Sequence, residues 1–398
     1  MDSCDILIVG GGPAGSSCAW KLRHSGMDVT ILDKQGFPRN KPCGGWITPA
    51  VLDELEIDPA EYSRGRVFQP ITGFRISCIG DTEVETDYGR TISYGICRYE
   101  FDDYLLRRSG ARLLEGVPLT SLERSGEQWV VNGQIKTSLV VGAGGHFCPV
   151  ARFLGAKIGR EVIVAAQEGE FEMDERQRAG CSIRPEIPEL YFCSDMRGYG
   201  WCFRKQDVLN VGLGRLDRHA LSKHIASFLN FLKAARKISF DLPSTLLGHA
   251  YLLYGKTTRK IVGDGILLIG DAAGLAYSQS GEGIRPAIES GLLAAKAIAA
   301  AGGRYSREQL EAYRILLTSR FGESQSDWAT SVGRRLSPRL ISPIARLLLR
   351  SRRFSRHVVL ERWFLHGHEP ALVSDQSSTY GNADRGAWSS EPCESAED

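Results

Sequence analysis

The chain has 398 residues, 42% hydrophobic and 24% charged, with a net charge of +2. That length allows two or three packed units around a sizeable core, and the balance is that of a globular protein. The small charge points away from nucleic acid, no RNA-binding motif or zinc-finger spacing occurs, and no apolar run reaches the ~18 residues a membrane span needs.

In chain order, Ile6 to Val9 reads as a short apolar strand, Ala14 to Ser25 as a helix stopped by Gly26, and Asp28 to Leu32 as a second strand ending at Asp33. Gln35 to Thr48 is a loop rich in Gly and Pro. Residues from about 66 to 97 alternate apolar and polar, the pattern of antiparallel strands. Arg98 to Ser109 is helical. Arg112 to Thr137 predicts two or three strands with a tight turn at Asn132-Gly133, and Ser138 to Gly142 a further buried strand. Val162 to Met173, Glu189 to Asp195, Tyr199 to Arg204 and Leu209 to Arg215 read as a strand meander, interrupted by a helix over about Ser222 to Ala235. The chain returns to its first unit at Ile261. Residues 306 to 366 are mostly helical, and the polar end of the chain reads as disordered.

These elements predict an α/β chain: a Rossmann-like domain, which the motifs below make the FAD-binding one, carrying an inserted antiparallel-sheet substrate domain and C-terminal helices. The domain boundaries are 1–75, 98–158 and 256–305 for the Rossmann-like part, 76–97 and 159–255 for the inserted part, 306–372 for the helical region and 373–398 for the tail.

Two fragments about 260 residues apart describe one ligand. Gly10, Gly12 and Gly15 have Gly-x-Gly-x-x-Gly spacing, with Pro13 and Ala14 inside the turn. Such glycines permit the tight turn, close approach of backbone to a pyrophosphate, and helix–strand packing. The helix start offers amide donors and partial positive charge to the phosphates. Asp33, followed by Lys34, stands where an acid binds adenosine ribose hydroxyls. Downstream, Gly270-Asp271 follows a buried strand from Ile266 to Ile269, and Asp271 suits ribityl hydroxyls. Gly281 and Gly283 let backbone approach a flat ring. A helix from Ile284 aims its positive end at that ring, favouring the reduced flavin. Together the fragments indicate FAD.

Ten cysteines occur with no Cys-x-x-Cys pair, and no signal-peptide pattern precedes the first strand. The expectation is reduced thiols, a cytoplasmic location and no metal site. Residues 331 to 362 hold nine Arg and one Glu among apolar side chains at roughly helical spacing. Pro343 is expected to break that helix in two. A basic amphipathic helix can lie on an anionic membrane, and a solvated helix packed on the body is the competing reading.

The motifs over residues 5 to about 300 resemble flavoproteins of the p-hydroxybenzoate hydroxylase fold and, within them, the geranylgeranyl reductase family. Arg98-Tyr-Glu-Phe-Asp-Asp-Tyr-Leu105 matches that family's Arg-x-x-Phe-Asp-x-x-Leu, which implies that Arg98 touches FAD. Lys41-Pro-Cys-Gly-Gly45 is a second match, which implies that Cys43, Gly44 and Gly45 lie near the flavin. Tyr199-Gly-Trp-Cys-Phe203 is similar to a third signature, with Met196 and Arg204 where that signature has prolines. Alternation puts Tyr199, Trp201 and Phe203 on one strand face, a wall for a greasy substrate. Gly142-Ala-Gly-Gly145 lacks the Asp that the wider group carries there, which argues against NADPH-dependent hydroxylation; Gly142 remains a cofactor contact by resemblance.

The resemblance implies reduction of isoprenoid carbon–carbon double bonds by hydride from flavin N5. Cys43, Tyr199 or a water would donate the proton, with Trp201 beside them. A monooxygenase or halogenase working through a flavin hydroperoxide is the alternative, and a non-catalytic flavoprotein a remoter one. NAD(P)H, a ferredoxin-like protein or a quinol would supply electrons. A lipid substrate and membrane contact through 331–362 follow from the same reading, which leaves oligomeric state open.

Overall fold

The computed structural model describes residues 2–157, 161–216, 220–242, 246–256, 259–322 and 338–372, the last segment from 343 for side chains. The predicted disordered tail and the start of the basic segment lie outside these residues.

From the N-terminus, β1 (Asp2–Val9), α1 (Pro13–Leu22) and β2 (Val29–Asp33) form a βαβ unit. Then come β3 (Trp46–Ile47), β4 (Phe68–Ile71), β5 (Gly73–Cys78), β6 (Val84–Asp87), β7 (Ser93–Ile96) and α2 (Arg98–Arg107). β8 (Arg112–Glu115), β9 (Leu122–Ser125), β10 (Gln128–Val131) and β11 (Ile135–Gly142) follow. After these run β12 (Val164–Glu172), β13 (Glu189–Phe192), β14 (Gly198–Lys205), β15 (Val208–Arg215), α3 (Leu221–Ala234) and β16 (Leu247–Tyr251). The chain then passes through β17 (Val262–Gly263) and β18 (Ile266–Leu268) into α4 (Ile284–Ala300), α5 (Arg307–Phe321) and α6 (Pro338–Leu349).

The first sheet has eight strands, ordered β17-β18-β11-β1-β2-β8, with β10 and β9 appended to β11. β11, β1, β2 and β8 run parallel, as does β18 beside β11. Parallel strands are covered on both faces, so β1 and β11 are near-continuous apolar runs. α1 and α4 cover one face, where Ala14, Cys18 and Leu22 share a core with Leu293, Ala294 and Ile298. A Cβ on Gly291 would fall on the carbonyl of Ala14, so only glycine lets the two helices touch there. Asn132 and Gly133 both have positive φ, 52° and 66°, the backbone of a tight hairpin turn. Ser138 to Gly142 is the second half of β11, which starts at Ile135 because residues 135–137 also pair with β10.

The second sheet has seven strands, ordered β16-β12-β15-β14-β13-β5-β6, antiparallel except where β13 meets β5. One face packs on α3, with Tyr191, Cys202, Leu209 and Val211 against Ile225, Phe228 and Leu232. The opposite face turns toward the first sheet. A third sheet, β3-β7-β4, bridges the two. Two expected boundaries shift here. β5 starts at Gly73 within the second sheet, and β7 lies outside that sheet, pairing with β3 and β4.

Pro343 does not break the C-terminal helix. α6 runs through it from Pro338 to Leu349, and a π-helical segment, Ser355–Phe364, follows after a short interruption. Leu349, Val359, Leu360 and Phe364 pack onto Trp46, Phe74 and Leu190, closing the edge of the second sheet. Burial of this apolar face outweighs the one backbone bond a proline removes. Among the described residues no helix is long and apolar enough to cross a membrane. The nine cysteines described are all free.

Candidate active site

Between the two large sheets lies a cavity of about 400 Å³. Its floor is the turn from β1 into α1. Gly10 takes φ +117°, and a Cβ there would fall on Ala143 O, so the turn requires glycine. Gly12 caps α1 with ordinary extended dihedrals and no side-chain cap, leaving first-turn amides free. A Cβ on Gly12 would meet only the Arg39 guanidinium, at 3.3 Å, so this position opens on the cavity. Asp33 accepts from Gly11 N at 2.8 Å and Gln35 N at 2.9 Å, holding the turn against the end of β2. An uncapped helix start, an open glycine and an acid at the next strand end fit the pyrophosphate and ribose of FAD.

The other half of the floor is a single 3-10 turn, Gly270–Ala272, and the start of α4. His249 Nε2 lies 3.7 Å from Asp271 Oδ2, and Lys41 Nζ lies 2.9 Å from His249 Nδ1. Burial would raise the Asp271 carboxyl, but the neighbouring His249 ring and the Lys41 charge outweigh it and hold the group at about 2. Asp271 is therefore ionised and can accept hydrogen bonds. Gly281 has φ +71°, and a Cβ there would fall on the Tyr251 hydroxyl. Gly283 and Ile284 complete this edge.

Register builds the ceiling. Trp201 lies opposite Gly212, which lies opposite Glu168. Phe203 lies opposite Asn210, and Asn210 opposite Glu170. Tyr199 lies opposite Gly214, then Ala166 and His249. Directly opposed residues share a face, so these side chains all point into the space between the sheets. A Cβ on Gly212 would fall inside the Trp201 ring, so the indole lies flat across that strand. Trp201 Nε1 donates to Asn210 Oδ1 at 2.6 Å. The Tyr199 hydroxyl donates to the Ser280 carbonyl.

Cys43 sits on the loop between β2 and β3, facing this ceiling. Its N–H donates to Glu168 Oε1 at 2.5 Å, and its carbonyl accepts from Asn210 Nδ2 at 3.1 Å. Burial pushes its thiol up, opposed in part by Arg98, so the sulfur carries its proton at neutral pH. Gly44 lies against Phe203 and Trp201, and Gly45 takes φ +66° where a Cβ would fall on Ile96 O. Arg98 starts α2, is 6% exposed, and pairs bidentately with Asp102 at 2.7 and 2.9 Å.

Thus Gly10, Gly12, Pro13, Ala14, Asp33, Lys34, Cys43, Gly44, Gly45, Arg98, Tyr199, Trp201, Phe203, Asp271, Gly281, Gly283 and Ile284 line one cavity. Gly15 and Gly142 do not. A Cβ on Gly15 would fall on Gly10 O, and one on Gly142 would meet Leu268 at 2.6 Å and Val150 at 2.8 Å. Both are packing positions behind the wall.

Residues 8–62 match the family model described as an NAD(P)-binding Rossmann-like domain. The chain is 29% identical over 366 residues to a menaquinone reductase of Mycobacterium tuberculosis, covering 86% of this chain and 85% of that one. It is 30% identical over 342 residues to digeranylgeranylglycerophospholipid reductase 3 of Methanosphaera stadtmanae, covering 80% and 83%. The chain belongs to the geranylgeranyl reductase family. It is an FAD-dependent oxidoreductase. A geranylgeranyl bacteriochlorophyll reductase-like crystal structure from Thermoplasma acidophilum shares the fold, with TM-score 0.74, 22% identity, and coverage of 91% and 96%.

Within this reductase-family site, several functional side chains escaped the sequence motifs. Lys205 is 1% exposed and donates to Glu170 Oε2 at 2.6 Å and Ile96 O at 2.8 Å. Asn210 Nδ2 also donates to Glu170, at 2.8 Å. The chain Trp201–Asn210–Glu170–Lys205 therefore anchors the aromatic wall to β7. Two acids at Glu168 and Glu170, two apart on β12 and so on one face of it, were the available signal. Replacing Lys205 with Met leaves Glu170 without its cation and should destabilise the protein by on the order of 3 kcal/mol. Urea unfolding of the two proteins checks this, and equal midpoints would contradict it.

Proposed function

We propose that this protein reduces carbon–carbon double bonds of an isoprenoid lipid in the cavity between the two sheets. The observation that carries the reading is the wall opposite Cys43: Tyr199, Trp201, Phe203, Leu190 and Phe364 offer a long apolar surface. A polyprenyl chain has only such surface to bind, and the indole and tyrosine polar atoms already have protein partners. Relatives named as reductases of a digeranylgeranyl lipid and of menaquinone support a substrate of this class.

Bound and reduced, FAD supplies a hydride. Gly12, the start of α1 and Asp33 hold its adenine half, and Asp271, Gly281 and Gly283 the flavin half. The aromatic wall excludes water and aligns the alkene, which matters because an isolated double bond is a poor electrophile. Cys43 holds the proton for the second carbon at its Sγ. Tyr199 and Trp201 serve as wall, their hydrogens being committed to Ser280 and Asn210.

The test is anaerobic. Dithionite stands in for the physiological donor, NAD(P)H or a ferredoxin-like protein. The holoenzyme, so reduced, should convert a geranylgeranyl lipid to products heavier by H2 per saturated bond, read by mass spectrometry. Product that forms only with oxygen would replace this reading with the oxygenase or halogenase one.

Lipid delivery is proposed to use α6. Ile344, Leu347 and Leu348 are 57%, 68% and 40% exposed, while Arg346 on the same helix and Arg350 just past its end pair with Asp81 at 2.9 and 2.8 Å. The apolar row suits shallow insertion into a membrane surface, with Arg352 and Arg353 at its end. Ile344→Asp with Leu347→Asp should cut sedimentation with anionic liposomes severalfold while leaving the fold intact. Unchanged sedimentation would remove this surface from consideration.

A further inference from the structure

The buried acid bonded to the Cys43 turn has no ion-pair partner of its own among the described residues. Glu168 is 5% exposed, one oxygen accepts the Cys43 N–H at 2.5 Å, and the other has no hydrogen-bond partner among the described residues. The charged groups facing it come from four elements: Glu170 on its own strand, Lys205 on β14, Arg98 on α2, and the Cys43 thiol on the loop. Both cations are already taken. Lys205 pairs with Glu170, and Arg98 with Asp102. A carboxylate left buried with one hydrogen bond is unfavourable, so Glu168 holds its proton to higher pH than Asp271 does.

We propose that Glu168 is the proton reservoir of this site, returning a proton to the Cys43 sulfur after each donation. The inference rests on the reading of Cys43 as the proton donor. The carboxyl lines the same cavity as Cys43, is tied to that residue through the Cys43 N–H, and has its second oxygen buried without a partner among the described residues. In each cycle the hydride brings two electrons to one alkene carbon. The Cys43 S–H bond breaks and its proton goes to the other carbon. The Glu168 O–H bond then breaks, and S–H re-forms. Water admitted as product leaves restores the carboxyl. The direction is downhill: burial lifts Glu168 to about 7, and burial lifts Cys43 above its ordinary thiol value. Glu168 is thus a positioning and proton-supplying residue, with Cys43 the group that meets substrate.

Glu168→Gln keeps an acceptor for the Cys43 N–H and removes the proton, which gives two readouts. The first needs no cofactor: peptide-resolved alkylation of Cys43 by iodoacetamide in flavin-free protein. Above the pH at which Glu168 ionises, its charge opposes thiolate formation, so the Gln variant should alkylate about 3- to 10-fold faster. Below that pH the two proteins should react alike. Equal rates at every pH would overturn the proposal, whether or not the variant binds FAD.

The second readout uses dithionite-reduced holoenzyme and a geranylgeranyl lipid. Glu168→Gln should reoxidise normally in the first turnover and slow by at least ~10-fold in the following ones. Cys43→Ala should already be slow in the first. If Cys43→Ala is slow and Glu168→Gln matches the parent in steady state, the reservoir fails and the Cys43 reading stands. If Cys43→Ala turns over normally, the Cys43 reading fails and takes the reservoir with it.

Discussion

Gly12→Val should give a folded protein that holds no FAD. The backbone at Gly12 has φ −73° and ψ −175°, which valine adopts without strain. An added Cβ meets only the far end of Arg39, a flexible side chain. The two methyl groups then project into the cavity where the pyrophosphate must approach backbone. The fold contains little to object and the cofactor everything. The expected result is colourless protein that takes up no FAD, with a melting temperature within about 4 °C of the parent. Gly10→Val is the contrast. There φ is +117° and the side chain falls on Ala143 O, so folding itself should fail. A yellow, fully loaded Gly12→Val protein would place the dinucleotide elsewhere.

The contrast between those glycines also shows where sequence reading works. Gly10, Gly12 and Gly15 were readable as one motif because strand, turn and helix are contiguous. Tyr199, Trp201 and Phe203 were readable because a strand repeats every two residues, whatever it pairs with. Glu168, Glu170, Asn210, Lys205, His249 and Tyr251 were not. Their chemistry depends on the register of β12 against β15 and β16, set by pairings across 36 to 87 residues. Alternation says that Glu168 and Glu170 share a face, but only the sheet order says that this face meets Cys43. The same limit explains the shifted boundaries. β7 resembles its neighbours in pattern, yet it pairs with β3 and β4. Pro343 looks like a break, and only tertiary burial of Leu349 and the following segment keeps the helix continuous. Gly15 and Gly142 carry motif positions but act through packing.

Cys43→Ala should retain FAD and lose roughly 100- to 10,000-fold in the rate of substrate reduction, the span that a positioned proton donor contributes. The thiol makes one long bond to the scaffold, accepting the Gly45 N–H at 3.5 Å, while the shorter bonds fall on the backbone of residue 43. Glu168 and Asn210 hold the N–H and carbonyl of residue 43, and neither bond involves the side chain. Alanine therefore leaves the turn clamped against the second sheet, and the left-handed Gly45 still carries the chain into β3. What alanine removes is a buried thiol whose raised pKa keeps its proton in place at neutral pH. That retention suits a donor that gives up its proton only as negative charge grows on the adjacent carbon, and it disfavours a nucleophilic thiolate. Cys43→Ser is the informative companion. A hydroxyl restores a proton at nearly the same place but is a weaker acid, so its rate should fall between those of the parent and the alanine variant. Flavin absorbance during anaerobic mixing with a geranylgeranyl lipid measures all three. An alanine variant that reoxidises as fast as the parent would assign Cys43 to packing, and the proton would then have to enter through a water held in the cavity.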